Sequence, residues 1–215
     1  MRVTSDKHIM LEKRRPWDQK LADMIIPHLI GSSISPNQIT FLSMILALLG
    51  ATFLAMDESL SANIGALLFI IARFLDHIDG ELARKKMMAS KFGYYLDYAT
   101  GGISFAALFV AMGIKYETGF LGHWSIFLGS LGALSAIICL FLNLQIDKKS
   151  CDIDENKGES IGYPNFLGFE LEDGIYLLAP ITWLNWLEPF FILASIGAIF
   201  YGFWTLFLLA RVKNQ

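Results

Sequence analysis

The sequence predicts an all-α membrane protein, with six transmembrane helices preceded by an amphipathic helix on the membrane surface. Three observations lead there. Hydrophobic residues make up 54% of the 215 residues, the mean hydropathy is +0.49, and only 17% of residues are charged. That balance is too apolar for a soluble domain of this length. The apolar residues fall in runs rather than at amphipathic spacing, and about 20 in a row suffice to cross a bilayer as a helix. Lysine and arginine, finally, gather in alternate connecting segments, as topology determinants do.

The first unit is residues 1–30. Within 4–30, charges mix with Ile9, Met10, Leu11, Trp17, Leu21, Met24, Ile25 and Ile26. This predicts an amphipathic segment on the membrane surface, interrupted at Pro16 and Pro27. No apolar core follows Arg2 closely, so no cleavable signal peptide is expected. The second unit, 31–215, is the six-helix domain. Ser35-Pro36-Asn37 opens its first helix, a capping serine ahead of a proline in the first turn.

The spans are predicted at 36–56, 62–84, 93–115, 122–145, 174–187 and 189–211. The fifth is short, with Pro180 and Pro189 about it, and reads as a tilted or broken helix. Residues 147–173 are polar and contain glycine, which predicts a loop. Trp124, Trp183 and Trp186 fit an interfacial aromatic belt.

With six spans and an inside N-terminus, fifteen of the seventeen lysines and arginines fall in the inside segments 1–30, 84–91, 147–158 and 211–215. Only Arg73 and Lys115 remain, within or at the end of a span. The positive-inside rule then places both termini in the cytoplasm of a multi-pass inner (plasma) membrane protein. No basic stripe or stacking platform speaks for nucleic acid. Cys139 in an apolar run and Cys151 in a polar loop make neither a disulfide framework nor a zinc site.

Acidic residues within membrane spans are costly, and their default reading is functional. The second span ends with Asp76 and Asp79, three apart and therefore on one helical face. The third span carries Asp97 about one turn inside the same boundary. An antiparallel pair of helices brings the three carboxylates level, and their mutual repulsion calls for a cation. Hard oxygen ligands of this kind suit Mg²⁺ or Mn²⁺ with substrate phosphates completing the shell. Gly80, Ala83 and Gly93 leave room for a nucleotide beside the backbone, and Arg84 offers charge-assisted bonds to phosphate. The bland alternative is a set of interfacial acids, solvated or paired with Arg73 and Arg84. His77, about 100° from Asp76, faces a neighbour rather than a metal. Lys85, Lys86 and Lys91 read as topology determinants or as attractors of an anionic substrate.

Asp76-x-x-Asp79-Gly80-x-x-Ala83-Arg84, eight residues, Gly93-x-x-x-Asp97 resembles the signature of the CDP-alcohol phosphotransferase (CDP-alcohol phosphatidyltransferase) family at seven spaced positions. Ser35-Pro36-Asn37-x-x-Thr40 is similar to that family's opening helix. The resemblance implies a six-helix membrane fold, usually homodimeric, with a polar cavity open to the cytoplasm. It implies transfer of a substituted phosphate, here phosphatidyl, from a CDP-linked lipid donor to a small alcohol acceptor with release of CMP, in phospholipid biosynthesis. By the same resemblance Asp76, Asp79 and Asp97 bind the divalent metal, Mg²⁺ or Mn²⁺, while Gly80, Ala83, Arg84 and Gly93 line the CMP site.

The family pattern has a fourth aspartate four residues after the third, where this chain has Gly101. That residue is associated in the family with deprotonating the acceptor and holding a second metal, neither of which glycine does. Three readings follow: another group supplies the base, the reaction has changed, or the protein binds without catalysing. Glu170, Glu172 and Asp173, before the fifth span, are the candidate substitutes, and their bland reading is solvated loop acids. Gly101-Gly102 is also expected to allow close helix packing. A transporter whose intramembrane acids line an ion path is the remaining rival.

Overall fold

The computed structural model describes the backbone of residues 17–150 and 171–213, and side chains within 21–146 and 174–210. All regular structure among them is helical: α1 (Trp17–Ile30), α2 (Pro36–Leu54), α3 (Ser59–Lys85), α4 (Lys91–Lys115), α5 (Trp124–Ser150), α6 (Leu178–Trp183) and α7 (Leu187–Lys213). Short 3₁₀ segments, Tyr116–Thr118 and Leu171–Leu177, extend α4 and lead into α6. Five helices (α2, α3, α4 with its 3₁₀ extension, α5 and α7) are long and apolar enough to cross a membrane. They coincide with five of the predicted spans to within a few residues.

The fifth predicted span, 174–187, takes a different form. Leu171–Leu177 is 3₁₀ and only Leu178–Trp183 is α-helical. Pro180 has no amide to give the carbonyl four residues back, so a continuous α ladder cannot run through it. Asn185, in the left-handed region at φ 57°, then separates α6 from α7. α5 and α7 run parallel. The Glu188 carboxylate accepts from the Phe120 amide at 2.7 Å near their starts, and the Ser135 hydroxyl donates to the Ala198 carbonyl at 2.7 Å further along. Between them, therefore, the chain returns to the end at which α5 began.

α2 is well marked at its start. The Ser35 hydroxyl accepts from the Gln38 amide at 3.4 Å and the Gln38 side chain accepts from the Ser35 amide at 2.9 Å, a reciprocal cap ahead of Pro36. α3 and α4 each pack along α2 rather than along one another, α5 packs on α4, and α7 packs on α5. α6 and α1 lie on α3. The core between them includes the fully buried Leu54, Phe69, Met112, Leu178 and Phe191, and the Phe191 ring stacks on Tyr116 with centroids 6.2 Å apart.

α1 runs through Pro27 instead of breaking there. The proline falls in its last turn, where a missing amide costs one bond to a single carbonyl; Pro16 lies outside the described residues. Ala22 and Ile26 are buried against Ile39, Ile78 and Leu82, whereas Leu21, Met24 and Ile25 are exposed. Lys85 pairs with Asp23 at 2.6 Å, and Lys86 donates to the Ser32 and Ile34 carbonyls at 2.8 Å each. Trp124, Trp183 and Trp186 are all exposed and sit at the opposite end of the bundle, as a belt at one interface requires.

The α2–α3 contact depends on glycine. A Cβ at Gly65 would lie 2.7 Å from the Gly50 carbonyl oxygen and 2.8 Å from the Leu54 amide nitrogen, both backbone atoms that cannot yield. Gly65→Ala is expected to cost about 1–3 kcal/mol through overpacking. Gly197→Ala, where a Cβ meets nothing within 4 Å, should be neutral or stabilise α7 by up to about 1 kcal/mol. Thermal unfolding of the two variants in detergent measures the contrast.

Candidate metal centre

The site forms where the last turns of α3 face the first turns of α4. α4 starts sharply because the Ser90 hydroxyl caps it, accepting from the Gly93 amide at 3.0 Å. That start sets Asp97 in the second turn, while the three-residue spacing on α3 turns Asp76 and Asp79 to one side. Since α2 lies between α3 and α4, the acids meet across an opening rather than in a helix–helix seam. One carboxylate oxygen from each of Asp76, Asp79 and Asp97 lies within 4.8 Å of the others. Asp79 is buried, at 3% exposure, Asp76 is half-buried and Asp97 is exposed.

Three like charges at this spacing repel by roughly 3–4 kcal/mol per pair at an effective dielectric of about 20. Arg73 offsets part of it through Nη1, 2.8 Å from Asp76 Oδ2. Thr40 and the Gly80 amide stand beside the Asp79 carboxylate, yet Asp79 Oδ2 is buried without a hydrogen-bond partner among the described residues. A buried acceptor left in this way costs about 1–3 kcal/mol, and more when charged. Three converging carboxylates, one of them buried with an unpartnered oxygen, fit a hard divalent cation, and the donor set is all oxygen.

The remaining residues singled out in the sequence divide into groups. Gly80 is open, since a Cβ there would meet only Arg84 Nη1 at 3.8 Å. Ala83 is half-buried one turn on. Arg84 pairs with Glu81, at 2.6 and 3.1 Å to one oxygen, rather than with the three aspartates. At Gly93 the space is already taken, because a Cβ would come 2.9 Å from Asn37 Oδ1 and 3.2 Å from Ser90 Oγ. Here the small residue lets α4 close on α2. Gly101 and Gly102 differ sharply. A Cβ at Gly102 would meet Leu140 at 2.5 Å, whereas one at Gly101 meets nothing within 4 Å among the described residues. Close packing therefore explains Gly102 and not Gly101. Glu170 lies outside the described residues, as do the side chains of Glu172 and Asp173.

Asn37 and Thr40 reach the site from α2, a role the sequence reading did not assign. Their i, i+3 spacing on a helix opened by Ser35-Pro36 was the available signal. Tyr94, Tyr95 and Tyr98 also cluster beside Asp97, with ring centroids 5.4 Å (Tyr94–Tyr95) and 5.0 Å (Tyr94–Tyr98) apart. A cavity of about 510 Å³, lined by Asp57, Asn63, Lys115, Tyr116, Asn185 and Glu188 among others, lies elsewhere. Asn63 and Asp79 are about 24 Å apart along α3 at the helical rise, so this cavity belongs to the opposite end.

Residues 33–204 match the family described as CDP-alcohol phosphatidyltransferase. An uncharacterised protein of Aquifex aeolicus is 30% identical over 129 residues, covering 58% of this chain and 64% of its own length. A bifunctional IPC transferase and DIPP synthase of the same organism is 26% identical over 203 residues, 94% of this chain and 44% of that protein. Archaetidylinositol phosphate synthase of Pyrococcus horikoshii is 28% identical over 185 residues, 83% of this chain and 94% of that protein. The chain thus spans less than two thirds of the first two relatives and nearly all of the third.

A cation held at this cluster predicts that Mn²⁺ titration, followed by electron paramagnetic resonance in detergent, finds a site that Asp79→Asn weakens by at least about 10–100-fold. Asp57→Asn, at the far end of the bundle, should leave that affinity unchanged.

Proposed function

The chain belongs to the CDP-alcohol phosphatidyltransferase family, and from that premise we propose that it transfers a substituted phosphate group, phosphatidyl or its like, from a CDP-linked lipid donor to a small alcohol with release of CMP. The observation that carries the proposal is the meeting of the Asp76, Asp79 and Asp97 oxygens within 4.8 Å of one another. In this reading the three hold Mg²⁺ or Mn²⁺ against the donor diphosphate. When bound, the cation supplies Lewis-acid stabilisation of charge on the phosphoryl group and the departing CMP.

The chain's own groups do the rest. Asp79 is fixed by burial in α3, and Arg73 orients Asp76 through its 2.8 Å bond. Arg84 is 43% exposed and pairs with Glu81 among the described residues. An exposed pair of this kind is worth well under about 1 kcal/mol, so the guanidinium exchanges Glu81 for a donor phosphate at little cost. The open face at Gly80 admits the nucleotide beside the helix. The basic segment 84–91 at the same end supports a cytoplasmic site in a multi-pass plasma membrane protein, and a homodimer belongs to the same reading.

An acceptor of polyol type is favoured by archaetidylinositol phosphate synthase, which this chain nearly spans. Gly101 favours a second reading, in which the donor is bound and not turned over.

The test is CMP release in liposomes containing CDP-diacylglycerol, with Mg²⁺ or Mn²⁺ and a panel of alcohols. Release should require the cation and fall at least about 10³-fold in Asp76→Ala, the loss of several kcal/mol of charge stabilisation. Arg84→Ala should raise the KM for donor more than it lowers kcat. Donor binding without CMP release across the whole panel would select the second reading.

A further inference from the structure

The cavity at the end of the bundle away from the aspartates has a chemistry of its own. It forms because α6 is short. α6 stops at Trp183, Asn185 turns the chain in the left-handed region at φ 57°, and α7 begins at Leu187. The first turns of α3 and the last turn of α4 line the other sides, giving a volume of about 510 Å³, in the range of small-ligand sites. Charges of both signs face this space. Half-buried Lys115 comes from α4, half-buried Glu188 from α7, and exposed Asp57 from the turn between α2 and α3. Asp57 and Lys115 are near enough to attract each other. Yet among the described residues Lys115 forms no ion pair with either acid. Its ammonium donates instead to the Met56 carbonyl at 2.6 Å, which uses one of its three N–H bonds. Glu188 accepts from the Phe120 amide at 2.7 Å through Oε1, and its second oxygen has no part in that bond. Trp183, which also lines the cavity, is exposed and belongs to the tryptophan group that marks an interface. Two carboxylates and one ammonium around one space suit a ligand that carries a cation and an anion together.

We propose that this cavity binds an aminoalkyl phosphate, the zwitterion found in the ethanolamine headgroup of a phospholipid. The phosphate is taken by Lys115 through its remaining N–H bonds. The primary ammonium is taken by Asp57 and Glu188, with the side-chain carbonyl oxygens of Asn63 and Asn185, which line the same space, as further acceptors. Trp183 offers an aromatic face to the cation and apolar surface to lipid chains. The excess of acid over base in the lining disfavours a phosphate that carries no ammonium, so the site discriminates by charge. It is separate from the aspartate cluster and does not depend on the transferase reading.

Native mass spectrometry of the full chain in detergent, titrated with dioleoyl phosphatidylethanolamine or dioleoyl phosphatidylglycerol, tests this. The two lipids share their chains and phosphate and differ in the ammonium. The ethanolamine lipid is expected to bind at least about tenfold more tightly, the worth of one charge-assisted hydrogen bond. Asp57→Asn/Glu188→Gln keeps size and an acceptor oxygen at both positions, and should reduce the preference to about threefold or less. Lys115→Gln should weaken both lipids by about tenfold or more. Glu117→Gln makes the same change in charge at the same end, at a residue paired with His123 outside the cavity lining, and should leave the preference intact. Thermal unfolding checks that each variant is folded. Should the double variant unfold early, Asp57→Asn alone, at an exposed position, must lower the preference at least about threefold. A smaller preference than tenfold in the parent chain overturns the proposal, as does its persistence in the folded acid variants or an equal loss in Glu117→Gln. So does a folded Lys115→Gln that holds both lipids as before. Free phosphoethanolamine then identifies the source. Displacement of the lipid at less than about 10²-fold excess assigns a soluble ligand of this class, and a greater requirement assigns the lipid.

Discussion

Three carboxylates held within 4.8 Å of one another at the edge of an apolar bundle are the constraint around which this structure is organised. The positions of the acids in their helices make the constraint unequal. Asp79 stands in the last two turns of α3, where the helix dipole presents partial negative charge and adds to the repulsion, while Asp97 stands in the second turn of α4, near the favourable end. Arg73 pairs with Asp76, and burial withdraws Asp79 from water. Converging oxygens of this kind fit a cation.

The surrounding architecture holds that cluster in place. α3 and α4 each pack on α2, and the acids come together at its edge with Asp97 exposed. Gly50 and Gly65 bring α2 and α3 backbone to backbone, and Gly93 lets the first turn of α4 close on Asn37. At the other edge, α1 is tied to α3 by the Lys85–Asp23 pair and by two carbonyl bonds from Lys86. The basic residues after Asp79 thus fasten α1 and the turn after it to the end of α3. The outer face of α1 carries exposed apolar residues, the pattern of a helix lying on a membrane surface.

Much of this was legible in the linear sequence, because it depends on spacing. Five spans, the cap at Ser35 and the shared face of Asp76 and Asp79 follow from helical periodicity and local chemistry alone. What was not legible depends on which helices touch. The acids were expected from neighbouring helices, whereas α2 intervenes. Gly93 was expected to make room for a nucleotide, whereas Asn37 occupies that room. The interval 174–187 is apolar enough to read as a span, but Leu171–Leu177 is 3₁₀ and Pro180 removes one bond of any continuous α ladder. Composition over a window does not register a single missing amide.

The pair Gly101-Gly102 carries that lesson into chemistry. Two adjacent glycines in an apolar helix invite one explanation, close packing, and the structure assigns it to one of them only. Gly102 is small because Leu140 leaves no space; Gly101 is small beside space that nothing described fills. Among the described residues Gly101 has no steric need to be small, although it lies on the face of Asp97 one turn away. Holding a diphosphate and removing a proton are separable tasks: the first needs converging charge, and the second needs one basic atom near the attacking oxygen. Converging acids and a bare position one turn away on the same helix are thus separate features of this chain, and only the first offers oxygens to a cation.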